Sequence, residues 1–425
     1  MSLLVLIGSL SAAILLGAPI AFALLASGVA LMIQLDMLNG QIVAQNLLNG
    51  ANNYALLSVP FFLLAGELMN AGGLSRRIVA IPLALVGHVR GGLGYVVIVA
   101  ALFLASLSGS AIADASALAA LLLPMMRRGG YSVESSTGLV AAASLVAPIF
   151  PPSVPFVLFG ITANVSITKL FAAGIVPAFL LALALAAAWW WTTRRDNPEP
   201  LPKVEPGELL KAVLGAGWAL GLPVIILGGL RLGAFTPTEA GAVAATYALF
   251  VGGVVYREID GRGLVEVFVQ VGRLSAVLMF LVAAAFVSTW LIGAANVSAQ
   301  ISGLLSPLLG SPLLLMLALN ALVFLLGTVL DIVPAILLLT PLLMPLIQKA
   351  GIDPVYFGVL FILNNAIGMI TPPVGPVLNA VCGVGRVKMN TVIAGITPFL
   401  VAETAVLALL IFFPWLVTVP MKALH

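Results

Sequence analysis

At 425 residues, 62% hydrophobic and only 8% charged, with a mean hydropathy of +1.21, the chain carries too little charge to cover a soluble domain. Its formal charge of +3 is no nucleic-acid footprint, and a single cysteine (Cys382) with two histidines (His88, His425) excludes an internal disulfide and a Cys- or His-built metal or haem site. Apolar runs of roughly 20 residues recur throughout and are continuous rather than alternating, so the expected class is an all-α polytopic membrane protein and not a β-barrel.

The first run, Leu3–Leu35, has no basic residue ahead of it and no convincing cleavage site, and reads as mature structure. The later spans follow from the basic residues. Arg76, Arg77 and Arg90 form one cluster, Arg127 and Arg128 a second, and Arg194, Arg195, Lys203 and Lys211 a third. Arg257, Arg262 and Arg273 form a fourth, and Arg386 and Lys388 a fifth; Lys169, Arg231, Lys349 and Lys422 stand alone. With the clusters in the cytoplasm, residues 55–75 enter, 93–126 go in and return, 131–163 leave and 170–193 enter. Residues 212–230 then leave, 238–256 enter, 274–292 leave, 301–348 go in and return on the outer side, 353–382 enter and 391–418 leave. The isolated cations and the C-terminus fall outside. The segment 196–208 (DNPEPLPKVEPGE) is a Pro- and charge-rich linker between two halves.

The halves repeat each other. At an offset of 221, Pro151-Pro152 meets Pro372-Pro373, Pro124 meets Pro345, Gly130 meets Gly351 and Pro155 meets Pro376; at a slightly smaller offset Gly109-Ser110 meets Gly327-Thr328. Asp114 lies ten residues before Pro124, and Asp331 ten before Pro341. The charge count puts the loop at 127–130 inside and its partner at 349–351 outside, so the repeats are expected to be inverted. Proline removes a backbone donor and breaks a helix. Backbone groups freed within a membrane must be buried in protein or line a wet cavity. Matched Pro-Pro breaks in inverted halves therefore point to a midplane site in a secondary transporter; taken singly, each would be an ordinary proline kink.

The segments ASLSGSAIADASALAA (105–120) and LLGTVLDIVPAI (325–336) suit the tips of two re-entrant hairpins. Small residues there also suit close helix packing, which accounts for the alanines but not for Asp114 and Asp331. An acid in an apolar run is a functional candidate. These two would support cation sites, either as direct ligands or by holding the loops. Glu67 and Glu403 are expected near span ends in structural roles, and Glu239 in a first helical turn after Thr236-Pro237. Asn364, Asn365 and Asn379 could contact substrate or satisfy backbone. Arg386 and Lys388 are the cations nearest the second break, though topology alone explains them.

The stretches PFFLLAGELMNAGGLSRRI (60–78), SGSAIADASALAALLLPMM (108–126), APIFPPSVPFVLFG (147–160), TPTEAGAVAA (236–245) and ITPPVGPVLNAVCG (370–383) resemble the large membrane subunit of tripartite ATP-independent periplasmic (TRAP) transporters, over essentially the whole chain. The resemblance implies an elevator-type fold in the bacterial inner membrane, coupled to Na⁺, with no cofactor and a periplasmic C-terminus. It implies scaffold segments at 1–92, a first transport repeat at 93–165, scaffold helices at 166–300, a second transport repeat at 301–390 and a C-terminal helix at 391–425. One sodium site would use Ser106, Ser108, Gly109, Ser110, Asp114 and the turn at Pro151. The other would use Gly327, Thr328, Asp331, Ile370 and Thr371. Substrate would lie between them against Pro152, Ser153, Val154, Thr371, Pro372, Gly375 and Asn379. The implied partners are a separate, unfused small four-helix subunit and a periplasmic binding protein that delivers a carboxylate such as a sugar acid, sialic acid or a C4-dicarboxylate. Rival readings are a channel, a proton-coupled anion transporter without a binding protein, and an aspartyl hydrolase built on Asp114 and Asp331. The chain has no phosphate-binding Gly-Lys-Ser/Thr loop for a primary pump.

Overall fold

The computed structural model describes residues 1–194, 200–203, 205–304 and 306–424. Of the expected linker at 196–208, residues 196–199 and 204 lie outside the described residues, as do Arg195 and His425. Every regular element among the described residues is helical. The chain begins with α1 (Ser2–Leu15), α2 (Ile20–Gln34), α3 (Gly40–Ala51), α4 (Ser58–Ala71) and α5 (Leu74–Val86). There follow α6 (Gly92–Ser108), α7 (Ala111–Arg128), α8 (Val133–Ala143), α9 (Val154–Ala163), α10 (Ile167–Thr193), α11 (Pro206–Arg231) and α12 (Pro237–Phe250). The rest are α13 (Gly261–Ala294), α14 (Val297–Leu304), α15 (Ser306–Leu309), α16 (Pro312–Gly327), α17 (Ile332–Lys349), α18 (Pro354–Met369), α19 (Pro376–Gly385), α20 (Met389–Phe412) and α21 (Trp415–Leu424). Seven helical stretches are long and apolar enough to cross a membrane.

Local chemistry sets the boundaries. The run Leu3–Leu35 divides into α1 and α2, because Gly17 adopts a left-handed φ of 81° and Pro19 precedes the first residue of α2. The expected return at 301–348 begins later, at Pro312, which takes the first position of α16 where its missing N–H costs nothing. Thr236 and Glu239 form the reciprocal capping box expected at the start of α12.

Tertiary packing interleaves the halves. α19 lies against α7, and α9 against α17, so the second piece of each broken helix rests on the other half's hairpin. α8 and α20 approach so closely that a Cβ on Gly138 or Gly395 would enter the opposing backbone. The buried stripe of α20 is Val392, Ile396, Phe399, Glu403, Val406 and Leu410, at helical spacing. Glu403 therefore sits inside the bundle and not near a span end: it is 1% exposed, and neither carboxyl oxygen has a hydrogen-bond partner among the described residues.

Two turns at one end of the bundle are tied by Glu258, which pairs with Arg76 and Arg77 at 2.5 Å each. Arg77 also covers the Tyr256 ring at 3.9 Å. Partial burial works against ionisation of Glu258, but Arg77 and then Arg76 outweigh it and hold the carboxyl below its ordinary range. A depressed carboxyl contributes stability above its unfolded value and loses it as pH falls through the folded one. Glu258→Gln is thus expected to lower stability by about 0.5–1 kcal/mol above about pH 5, and by nothing in strong acid. Thermal unfolding of the two proteins across pH measures this; a difference that grows on acidification would contradict the clamp.

Candidate functional site

The first hairpin turns at two residues. Gly109 closes α6 with φ 59°, and a Cβ there would lie 3.0 Å from Pro152 O and 3.2 Å from Val154 N. Glycine is required both for the left-handed backbone and for this approach. The tip thus rests directly on the first Pro-Pro break. Ser110 caps α7, its Oγ accepting from Ala113 N at 3.4 Å. Ser108 Oγ donates to Asp114 Oδ1 at 2.5 Å and accepts from Ser110 N–H at 3.2 Å. Ser106 Oγ donates back to Phe103 O. Asp114 is 3% exposed, and its Oδ2 has no partner among the described residues. The acid therefore reaches the tip through Ser108, and its second oxygen is left to accept.

The first break, including Pro151, Pro152, Ser153 and Val154, is buried throughout. Ser153 Oγ donates to Pro148 O at 2.5 Å and accepts from Phe156 N at 3.3 Å, which caps α9. Its polar capacity is largely spent locally.

The second hairpin turns over four residues. α16 ends at Gly327, Thr328 Oγ1 donates to Leu325 O, and Asp331 Oδ1 accepts from Ile332 N at 2.7 Å to cap α17. α7 and α17 are both 18 residues long and begin 221 residues apart. In this register Asp331 takes the place of Ser110, and Asp114 has Ala335 as its counterpart. Counting back from Pro124 and Pro341 matched the two acids, but the helix starts separate them: one lies inside the first turn and the other caps it. Gly327 faces the last turn of α18. A Cβ on it would lie 3.1 Å from Asn365 Nδ2, and a Cβ on Gly368 would lie 2.7 Å from Gly327 O.

The matched breaks differ in exposure. Pro372, Pro373 and Val374 are exposed, Ile370 and Gly375 are buried and Thr371 is intermediate. Thr371 Oγ1 donates to Ile367 O, and exposed Asn379 donates to Val374 O at 3.0 Å. Ser153 caps α9, whereas Gly375 (φ 48°) precedes α19 and gives it no side-chain cap. The first residue of α19, Pro376, has no N–H, so the helix-start donors are those of Val377 and Leu378, which no side chain caps and which favour an anion.

Asn320 carries a signal that the motif reading passed over, a lone polar residue in the apolar run 312–327. Asn364 Nδ2 donates to Asn320 O at 2.6 Å and to its Oδ1 at 3.0 Å, fastening α16 to α18. Asn365 is fully buried with both amide atoms unpartnered among the described residues. No group of three His, Cys, Asp or Glu capable of holding a metal occurs among the described residues. The first tip carries the hydroxyls of Ser108 and Ser110, and the Asn365 amide lies beside Gly327 at the second hairpin; oxygens of these kinds are ligands for hard cations.

The family described as tripartite ATP-independent periplasmic transporter, DctM component, matches residues 7–416. The chain is 50% identical to the 2,3-diketo-L-gulonate TRAP transporter large permease protein YiaN of Escherichia coli K12, over 99% of each chain. It is 39% identical to the sialic acid TRAP transporter large permease protein SiaM of Vibrio cholerae, over 94% of this chain and 93% of that one. It is 35% identical to the C4-dicarboxylate TRAP transporter large permease protein DctM of Pseudomonas aeruginosa, over 88% and 87%. The crystal structure of the Alcanivorax borkumensis YdaH transporter shares the fold, with a TM-score of 0.64 at 17% identity over 88% of both chains.

Proposed function

This chain belongs to the DctM-component family of tripartite ATP-independent periplasmic transporters and is a multi-pass transport permease, not an enzyme; we propose that it imports a carboxylate-bearing small molecule, driven by Na⁺. The observation that carries this reading is the pair of junctions, where Gly109 meets Pro152–Val154 and Gly327 meets Asn365 and Gly368. One sodium ion would bind at each. Asp114 would act through Ser108 at the first, and Thr328 and Ile370–Thr371 would contribute oxygens at the second. The substrate carboxylate would meet the uncapped start of α19, beside Thr371, Pro372 and Gly375.

The exposure difference supports alternating access: the second break is open while the first is covered. In this reading α6–α9 and α16–α19 are inverted units with re-entrant hairpins, and they travel together as an elevator against the remaining helices. Relatives named for diketogulonate, sialic acid and C4-dicarboxylates support a carboxylate, while another is named for isethionate, a sulfonate. The partners would be a separate small membrane subunit and a periplasmic binding protein, with the permease in the inner membrane and its C-terminus periplasmic.

The test is uptake into proteoliposomes carrying this chain and its small subunit, with the binding protein and labelled sugar acids or dicarboxylates outside. Uptake is expected only when an inward Na⁺ gradient, the binding protein and the small subunit are all present. Uptake driven by a proton gradient, or by this chain alone, would overturn the sodium-coupled tripartite reading.

A further inference from the structure

α10 and α11 leave between them a groove of about 770 Å³, closed at one end by residues 233–237. Its walls are the first turns of α10, with Phe171, Ala172 and Ile175, and the last turns of α11, with Pro223, Val224 and Leu227. Arg231 stands at its rim. Arg231 is the last residue of an apolar span, Gly207–Arg231, so it lies where head groups lie. From Arg231 to Pro223 the helix descends about 12 Å, at 1.5 Å per residue. A groove with a cation at head-group level and apolar walls below it matches one amphipathic molecule, an acyl chain under a phosphate.

The rim is also specific in sign. Among the described residues Arg231 has no carboxylate within ion-pair distance, since the ion pairs are those of Glu258. Thr236, which also lines the groove, holds the Glu239 carboxylate: Glu239 accepts from Thr236 N–H at 2.7 Å and from its Oγ1 at 2.9 Å. A cation on the groove lining, with an acid held by another lining residue, complements a zwitterionic head: phosphate on Arg231 and ammonium towards Glu239.

We propose that this groove is a binding site for one phospholipid with an amine-bearing head group, seated between α10 and α11.

The test is native mass spectrometry of the full-length protein in mild detergent, with lipid extracts quantified and phosphatidylethanolamine, phosphatidylglycerol and diacylglycerol offered in competition. The wild type should retain one phosphatidylethanolamine. Gly228→Phe should fill the groove, because a Cβ at Gly228 meets nothing within 4 Å, and should lower retention about tenfold. Val224→Trp is a second filling variant that does not depend on helix packing, as Val224 is 71% exposed. Arg231→Gln should lose phospholipid but keep diacylglycerol. Equal retention in all four proteins would overturn the proposal. So would a groove that holds only detergent, or one that prefers phosphatidylglycerol to phosphatidylethanolamine.

Discussion

Gly368→Ala should abolish uptake. A methyl group at this position would lie 2.7 Å from Gly327 O and 2.8 Å from Gly327 Cα, so it meets backbone and not a side chain that can turn away. The second hairpin would have to lift off the last turn of α18, breaking the register set by Asn364 and Asn320. Overpacking of this kind costs about 1–3 kcal/mol, and the lost junction should cut uptake by about 100-fold, since small misplacements at a preorganised site carry penalties of that order. Gly272→Ala is the control. It lies in the helix interior of α13 with nothing within 4 Å of its Cβ, and should transport normally with stability raised by about 0.5–1 kcal/mol. Thermal unfolding and uptake measured side by side decide the matter; normal uptake by Gly368→Ala would mean that the tip contact is not required.

Asp114→Ala should raise the Na⁺ concentration for half-maximal uptake by at least about tenfold, or about 1.4 kcal/mol. The substitution removes the buried carboxyl that accepts from the Ser108 hydroxyl at the first tip. Asp331→Asn should be much milder, because asparagine caps a helix about as well as aspartate. Asp331→Ala should cost about 1 kcal/mol of stability through the lost cap, with little change in sodium dependence. Sodium titrations of uptake separate the two acids. Equal shifts for Asp114→Ala and Asp331→Asn would restore them as a matched pair and remove the distinction drawn from the helix starts.

The breaks and tips were legible because they depend on residue types with narrow conformational meaning. A proline pair cannot continue a helix, and Gly109 and Gly327 mark close approach. The partnerships across the fold were not legible. Asn320 looked like one polar residue in an apolar run until α16 and α18 came together, and Gly368 like one glycine among 42. From sequence Glu403 reads as a span-end acid, because hydropathy gives the length of a run but not which face of the helix turns inward; the fold buries it.

Composition, charge placement and the internal repeat were by themselves sufficient for an all-helical, many-span membrane protein with two matched broken segments. Each of those signals is local or cumulative: apolar length, proline chemistry and the cost of moving cations across a bilayer. Only the tertiary structure decided that each half's second broken piece rests on the other half's hairpin, that Asp331 is a cap while Asp114 is a buried acid, and that one break is covered while its twin is open. These are relations between segments far apart in sequence. They depend on which side chains and backbone atoms meet when the helices close together, and no pattern along a single stretch of chain encodes that meeting.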